Sequence, residues 1–170
     1  AFELLANPAM GPHALALIGA LARSAGKDGM VSGQMLDIAA ETADAPLTLE
    51  QITLLQARKT GCLIEWSATA GAVLAGADPA PLRQYASALG LAFQIADDIL
   101  DVEGDAQKMG KAVRKDADAG KATFVSLLGL EAAKARALAL CDEACAALAP
   151  YGDQGECLKE AARFVISRDS

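Results

Sequence analysis

The sequence predicts an all-α protein, and three observations support this fold class. Alanine, the residue with the highest helix propensity, is the commonest residue in the chain. Aromatic residues, which favour strands, make up only 4% of the 170 residues. No segment alternates apolar and polar residues as a half-buried strand would. Because 53% of the residues are apolar, the chain is able to bury a sizeable core, and we expect a single domain over residues 1–170.

Start and stop signals divide the chain into helices. Thr48 and Gln51 have the spacing of a capping box, and Asp78-Pro79 places an N-cap residue before a proline at the first helical position. The triplet Lys59-Thr60-Gly61 interrupts an otherwise apolar run, which predicts a kink there. Together these signals predict helices over residues 13–24, 31–42, 48–76, 78–102, 124–148 and 155–168.

Charge and hydropathy exclude two classes of partner. The net charge is −7, whereas binding a nucleic-acid backbone needs a surplus of lysine and arginine. No uninterrupted apolar stretch reaches the roughly 18 residues that a membrane-spanning helix requires. The four cysteines lack the spacing of zinc ligands, so we interpret them as reduced thiols of a cytoplasmic protein. We therefore expect neither nucleic-acid binding nor membrane insertion.

Three aspartates near the end of one predicted helix form the sharpest feature of the sequence. Positions i and i+4 place Asp97 and Asp101 on one helix face, with Asp98 beside them and Gln94 one turn earlier. Carboxylates at this place repel one another and lie at the negative end of the helix dipole. A merely solvated acidic turn is the alternative interpretation. The arrangement favours a compensating cation.

Magnesium suits these carboxylates better than calcium does. The segment from Asp101 alternates acids as a calcium-binding loop does, but Ala106 and Ala112 stand where that loop needs glycine and glutamate. Magnesium takes one or two carboxylates and shares its other positions with phosphates. The polar connection over residues 103–121 offers cations for phosphates, and its length is typical of a functional or mobile loop. An ordinary charged loop would show a similar set of cations: Lys108, Lys111, Arg114, Lys115 and Lys121.

Five motifs follow one another along the chain. They are Gly33-Gln34-Met35-Leu36-Asp37, Lys59-Thr60-Gly61, the segment 90–105 with Phe93-Gln94 before the aspartates, Gly110-Lys111, and Gly120-Lys121-Ala122-Thr123. In this order they resemble the motifs of trans-prenyl diphosphate synthases, the group that includes farnesyl and geranyl diphosphate synthases. The aspartates resemble the second aspartate-rich motif of that family. The first such motif does not occur in these residues, so the chain resembles roughly the C-terminal half of such an enzyme.

The resemblance implies a fold, a reaction and a set of site residues. The fold would be the C-terminal part of an isoprenoid-synthase-type helical bundle, and the enzyme would be a homodimer. The reaction would be head-to-tail condensation of isopentenyl diphosphate with an allylic diphosphate, after Mg2+-assisted ionisation. By motif position, Asp97, Asp98, Asp101 and Asp37 would bind the metal, with Asp116 more peripheral; Lys59, Lys111 and Lys121 would bind diphosphate; and Lys59, Thr60 and Gln94 would act at the reacting centre.

Other classes of protein remain open on the sequence alone. A non-catalytic subunit of a heteromeric prenyl synthase would be expected to lose aspartates or lysines from these motifs, and this chain keeps them. A plain helical interaction bundle would have no need of Lys59-Thr60 inside an apolar helix. A terpene cyclase usually carries an Asn/Asp-Ser/Thr-Glu pattern as its second metal motif. Because only one of the two metal-binding motifs is present, we expect the 170-residue chain alone to be inactive.

Overall fold

The computed structural model describes residues 1–108 and 122–168, with side chains at 1–104 and 122–168. Within these ranges every regular element is helical, which confirms the all-α prediction. The described helices are α1 (Phe2–Leu5), α2 (Ala14–Ala25), α3 (Met30–Glu41), α4 (Leu49–Gln56), α5 (Cys62–Ala75), α6 (Ala80–Lys108), α7 (Phe124–Leu128), α8 (Leu130–Ala147) and α9 (Glu156–Ser167), with 3-10 turns at Pro8–His13 and Ala149–Gly155 and a π-helical turn at Ala57–Gly61. None of the helices in the described part is long and apolar enough to cross a membrane.

Local signals in the sequence place several helix ends correctly. The hydroxyl of Thr48 accepts a hydrogen bond from the Gln51 backbone N–H, and the Gln51 side chain accepts one from the Thr48 N–H. The Asp78 carboxylate accepts a hydrogen bond of 3.0 Å from the Ala80 N–H at the start of α6. Helix α5 ends at Gly76, whose φ of 64° is accessible to glycine at little cost. The predicted capping box is therefore confirmed.

Two predicted boundaries were wrong. Helix α6 continues beyond Val102 to Lys108, so the first part of the predicted connection is helical. An ion pair of 2.7 Å between Glu103 and Lys134 of α8 extends the contact between the two helices into this region. The single helix expected over residues 124–148 is broken at Gly129, whose φ of 83° is not helical.

Helix α6 lies at the centre of the fold and packs against α5, α7, α8 and α9. Its contact with α8 consists largely of small side chains, which let the two backbones approach closely. The buried residues of this core include Ala86, Ala92 and Ile95 of α6, Ala133, Ala137, Leu140 and Ala144 of α8, and Phe124, Leu148 and Ala162. A second, smaller core joins Leu17 and Leu21 of α2 to Trp66 of α5, whose indole N–H donates to the Leu17 carbonyl.

Large apolar side chains of several helices are in contact with solvent. Those on the first three helices include Phe2, Leu4, Leu15, Val31, Met35 and Ile38. Patches of this kind mark surfaces that pack against other parts of a protein or against other chains. The functional residues described next lie on α3, the π-helical turn and α6.

Candidate active site

Asp37 and Lys59 form an ion pair between α3 and the π-helical turn. Asp37 is buried, with 7% of its surface exposed, and its Oδ2 lies 2.5 Å from Nζ of Lys59. A buried carboxylate needs a cation or hydrogen-bond donors, because burial without them costs several kcal/mol. Asp37, a predicted metal ligand, therefore forms an ion pair with Lys59, a predicted diphosphate ligand.

Helix α3 holds the π-helical turn at two further points. A Cβ atom built on Gly33 would lie 2.2 Å from the backbone nitrogen of Lys59, so the two backbones are in direct contact. The guanidinium of Arg58 donates a hydrogen bond of 2.7 Å to the Ser32 hydroxyl. Thr60, half-buried, follows Lys59 in the same turn. π-helical turns inside α-helices occur frequently at functional sites, and the predicted kink is this turn.

The other face of the π-helical turn packs against α6. Gly61 lies beside Gly90, where a Cβ atom would be 3.5 Å from the Gly61 Cα. Gln94 follows Gly90 by four residues and Asp97-Asp98 come one turn later, so these residues share one side of α6. Both Gln94 and the two aspartates are half-buried. The described chain therefore aligns Gln94 and the aspartates along α6, which contacts the turn carrying Lys59 and Thr60.

Asp98 holds the start of α7. Its Oδ2 accepts a hydrogen bond of 2.7 Å from the backbone N–H of Phe124, the first residue of that helix. Burial raises the pKa of Asp98 to about 6; the Phe124 N–H opposes this, whereas the charges of Asp101 and Asp97 add to it. One of its oxygens is thus used within the fold. The resemblance implies that Asp98 binds metal beside Asp97 and Asp101, and this role stays a prediction.

Asp97 is paired with Arg168, a residue that the sequence analysis did not single out. Arg168 Nη2 donates to Asp97 Oδ1, and the guanidinium carbon lies 4.4 Å from the centre of the Phe93 ring. Burial raises the pKa of Asp97, Arg168 opposes this, and the Asp101 charge adds to it. The sequence predicted that a cation compensates the three aspartates; in the described structure an arginine from the end of α9 pairs with one of them, Asp97. The only signal in the sequence that could have indicated Arg168 was a basic residue at the end of a predicted helix.

The chain around Phe124 connects the two groups of residues. Ala122 lines a small cavity together with Asp37 and Gln56, while Phe124 is held by Asp98. Since consecutive Cα atoms are 3.8 Å apart, Ala122 and Phe124 are separated by about 7 Å at most. The segment 122–124 therefore lies beside the cavity of Asp37 at one end and is bound by Asp98 at the other.

Comparison with known proteins identifies the family. Residues 1–151 match the family model described as polyprenyl synthetase. The chain belongs to the polyprenyl synthetase family. It is 39% identical over 158 residues to farnesyl diphosphate synthase of Bacillus subtilis, covering 91% of this chain and 53% of that protein. It is 46% identical over 123 residues to farnesyl diphosphate synthase of Geobacillus stearothermophilus, covering 71% of this chain and 41% of that protein.

Solved structures of polyprenyl synthetases have the same fold. A farnesyl/geranylfarnesyl diphosphate synthase from Zymomonas mobilis superposes with a TM-score of 0.85 at 45% identity, covering 96% of this chain and 56% of that chain. A geranyltransferase from Helicobacter pylori, in complex with magnesium and isoprenyl diphosphate, gives a TM-score of 0.74 at 36% identity and covers 97% and 55%. The chain thus spans about half the length of the relatives that it matches.

The donor set at Asp97 fits magnesium, the metal named for the Helicobacter pylori structure. Within residues 1–104 and 122–168, no three carboxylate, thiol or imidazole groups are arranged to enclose a metal ion. Magnesium requires less than this, because it keeps water ligands and shares positions with phosphates. Asp97, Asp98 and Asp101 offer only carboxylate oxygens, and Arg168 already places a positive charge at Asp97. The predicted ligands Lys111, Lys121 and Asp116 lie outside the described residues.

Proposed function

We propose that this polyprenyl synthetase binds diphosphate and Mg2+ at the side of α6 described above, and that it condenses isopentenyl diphosphate with an allylic diphosphate. The observation that carries the proposal is the joint placement of two groups. The carboxylates of Asp97, Asp98 and Asp101 lie along α6, and the Lys59 ammonium lies on a π-helical turn packed against the same helix. Membership of the family supports the same reaction.

The roles of the residues follow from charge and position. Asp97 and Asp101, with Asp98 in support, would hold Mg2+, which supplies charge neutralisation for the departing diphosphate. Asp37 fixes the Lys59 ammonium within the site, where it would attract diphosphate oxygens. As matches to the family's motifs, Lys111 and Lys121 would add cations, with Asp116 more peripheral.

Thr60 and Gln94 are proposed to lie beside the developing allylic cation. Each is half-buried, and each offers an oxygen dipole without a formal charge. A full negative charge there would trap the cation instead of stabilising it in passing. Gln94 lies one turn from Asp97 on α6, and Thr60 lies next to Lys59, so both are adjacent to groups proposed to hold the leaving diphosphate.

Two further properties are part of this proposal. The apolar surface on α1, α2 and α3 would pack against another chain, in a homodimer, or against further parts of the protein. The cysteines at residues 62, 141, 145 and 157 are free thiols, which supports a reducing, cytoplasmic location. A non-catalytic subunit is less favoured, because Asp97, Asp101 and Lys59 are retained.

A labelled-isopentenyl assay tests the reaction. The full-length protein should incorporate isopentenyl diphosphate into a longer prenyl diphosphate only when Mg2+ and an allylic diphosphate are present. Asp97→Ala should lower turnover by about 100-fold or more, because it removes a ligand that acts as charge develops on the leaving group. Glu160→Ala, at an exposed acid of α9 away from the site, is the matched control and should retain full turnover.

The isolated 170-residue chain is a second arm of the same assay. It should be inactive, because only one of the two aspartate-rich motifs of the family is present in it. Turnover by the isolated chain would contradict the expectation that the reaction needs the first aspartate-rich motif as well. Inactivity of the folded full-length protein with every allylic diphosphate tried would remove the synthase proposal itself.

A further inference from the structure

We propose that Arg168 is an exchangeable counter-cation of Asp97, which pairs with this carboxylate in the metal-free protein and leaves it when Mg2+ binds. The inference rests on the proposed function, since it takes Asp97 as a magnesium ligand. It adds a residue from the end of α9 that tunes how strongly the aspartates bind the metal.

The position of Arg168 is determined by the end of α9 and by two neighbours on α6. Helix α9 ends at Ser167, and Arg168 has an extended backbone with φ −65° and ψ 134°. Its guanidinium reaches back to α6, where it contacts the carboxylate of Asp97 and the ring of Phe93. The two neighbours are four residues apart, so they present one combined surface on the helix.

The hydrogen-bond donors of Arg168 are not all paired within the described residues. Its Nε is buried and has no hydrogen-bond partner among the described residues. A buried donor without a partner carries a desolvation cost that is recovered when the group moves to water or to a better acceptor. Asp97, by contrast, is 44% exposed at its side chain, so water and ions have access to it while Arg168 is bound. The pair therefore combines a weakly held cation with an accessible anion.

Arg168 and Mg2+ are competitors, because both bind the same carboxylate and two cations at that distance repel each other. Binding of the metal then includes the free energy of removing Arg168. By thermodynamic linkage, anything that weakens the Arg168 contact increases the apparent affinity for Mg2+. Removing the arginine should also destabilise the metal-free protein, since the repulsion between Asp97 and Asp101 is no longer offset.

The test compares Arg168→Met with the unaltered full-length protein by calorimetric titration of Mg2+ in the presence of inorganic diphosphate. Methionine keeps the unbranched apolar stem against Phe93 but removes the charge. The Mg2+ concentration for half-saturation should fall by about fivefold, the size expected when a partly exposed ion pair is removed. Arg163→Met is the matched control, because Arg163 lies on the same helix but faces Glu156; its half-saturation should be unchanged.

Thermal unfolding provides a second readout that is independent of turnover. Without Mg2+, Arg168→Met should unfold at a lower temperature than the unaltered protein, and saturating Mg2+ with diphosphate should remove most of this difference. If Arg168 stabilised the fold without affecting the metal, Arg168→Met would lower the unfolding temperature equally with and without Mg2+. Arg168→Lys, which keeps the charge but loses the planar contact with Phe93, should show an intermediate affinity for Mg2+.

The possible results separate the two proposals. Equal or weaker Mg2+ binding by Arg168→Met, with normal Mg2+ binding by the unaltered protein, overturns the exchange and leaves the synthase assignment intact. If Mg2+ and diphosphate neither bind nor stabilise the unaltered protein, the proposed function fails, and this inference fails with it. Should Arg168→Met not fold, Arg168→Lys decides, because unchanged affinity in that variant also contradicts the exchange.

Discussion

The two ion pairs of the site are built in different ways. In the first, Asp37 is held in α3 with 10% of its side chain exposed, and Lys59 belongs to a π-helical turn fixed by backbone contact with Gly33. In the second, Asp97 has 44% of its side chain exposed, and its partner Arg168 reaches it from beyond the last turn of α9. The first pair is part of the packing of the fold, whereas the second depends on the reach of one long side chain.

This difference indicates which charges are fixed and which are exchangeable. A pair enclosed by packed backbone keeps its geometry whether or not a ligand is present, so Lys59, as the proposed diphosphate ligand, would need no rearrangement to bind it. A pair at a helix end is held by few contacts and opens at little cost. Breaking each pair in turn should therefore give effects of different size and of different sensitivity to Mg2+.

The largest effect on stability is expected at Gly33. In Gly33→Ala the new methyl group would lie within 3 Å of the Lys59 backbone N and Cα and the Arg58 carbonyl carbon, so α3 must move away from the π-helical turn. Overpacking against backbone of this kind costs about 3 kcal/mol. Urea denaturation should show this loss, and the Mg2+ affinity at Asp97 should change much less than turnover.

Gly71→Ala is the control for the substitution itself. Gly71 is an exposed residue within α5, and a Cβ atom there meets nothing within 4 Å. Alanine should stabilise the helix by about 0.5–1 kcal/mol, because it removes the extra conformational entropy of glycine. Equal losses of stability at Gly33 and Gly71 would contradict the assignment of a special contact to Gly33.

A smaller effect is expected when each pair loses its cation. Lys59→Met takes the ammonium away from the buried Asp37 carboxylate and should lower the free energy of unfolding by about 2 kcal/mol. Arg168→Met should cost only about 1 kcal/mol, because Asp97 keeps access to water. Urea denaturation of both variants at pH 7, without Mg2+, measures the difference. A greater loss for Arg168→Met would reverse the distinction drawn between the two pairs.

The sequence predicted the local parts of this picture and missed parts that depend on contacts between distant residues. The capping box at Thr48 and the interruption at Lys59 were correct, because each is encoded within a few residues. The extension of α6 to Lys108 was missed, since the Glu103–Lys134 pair that supports it joins two separate helices. The break at Gly129 was missed because one glycine within an apolar run is a weak signal.

In the candidate site, too, the sequence predicted local features and missed contacts between distant residues. The periodicity along α6 placed Asp97, Asp98 and Asp101 together, since their spacing alone determines the shared face. It also predicted a compensating cation, but gave no sign of the arginine that pairs with Asp97, which is 71 residues away at Arg168. Likewise, nothing near Asp98 in sequence indicates that its carboxylate holds the start of α7. Pairing across the fold has no periodic signature, so the sequence gives the charge requirement without the partner.

The smallest effect on stability is expected at the other end of α9, and its size depends on pH. Tyr85 of α6 has 2% of its surface exposed and donates a hydrogen bond of 2.9 Å to the Leu158 carbonyl, which anchors the start of α9. Tyr85→Phe should lower the free energy of unfolding by about 0.5 kcal/mol at pH 7, through the loss of this bond. The α9 anchor would then be weaker, while the Asp37–Lys59 pair should be unaffected.

The sign of the pH effect follows from the pKa of this tyrosine. Burial raises the pKa of Tyr85 to about 12, above the value of about 10 for an unfolded tyrosine. The folded protein therefore keeps this proton between pH 10 and 12 while the unfolded chain loses it, and the corresponding stability is present below pH 10 and is lost as pH rises to 12. Phenylalanine has no such proton, so the advantage of the unaltered protein over Tyr85→Phe in urea denaturation should shrink above pH 10 and reverse before pH 12, since each unit of pKa difference is worth about 1.4 kcal/mol. A constant difference from pH 7 to 12 would mean that the hydroxyl ionises equally in both states, and that α9 is not anchored by a buried neutral tyrosine.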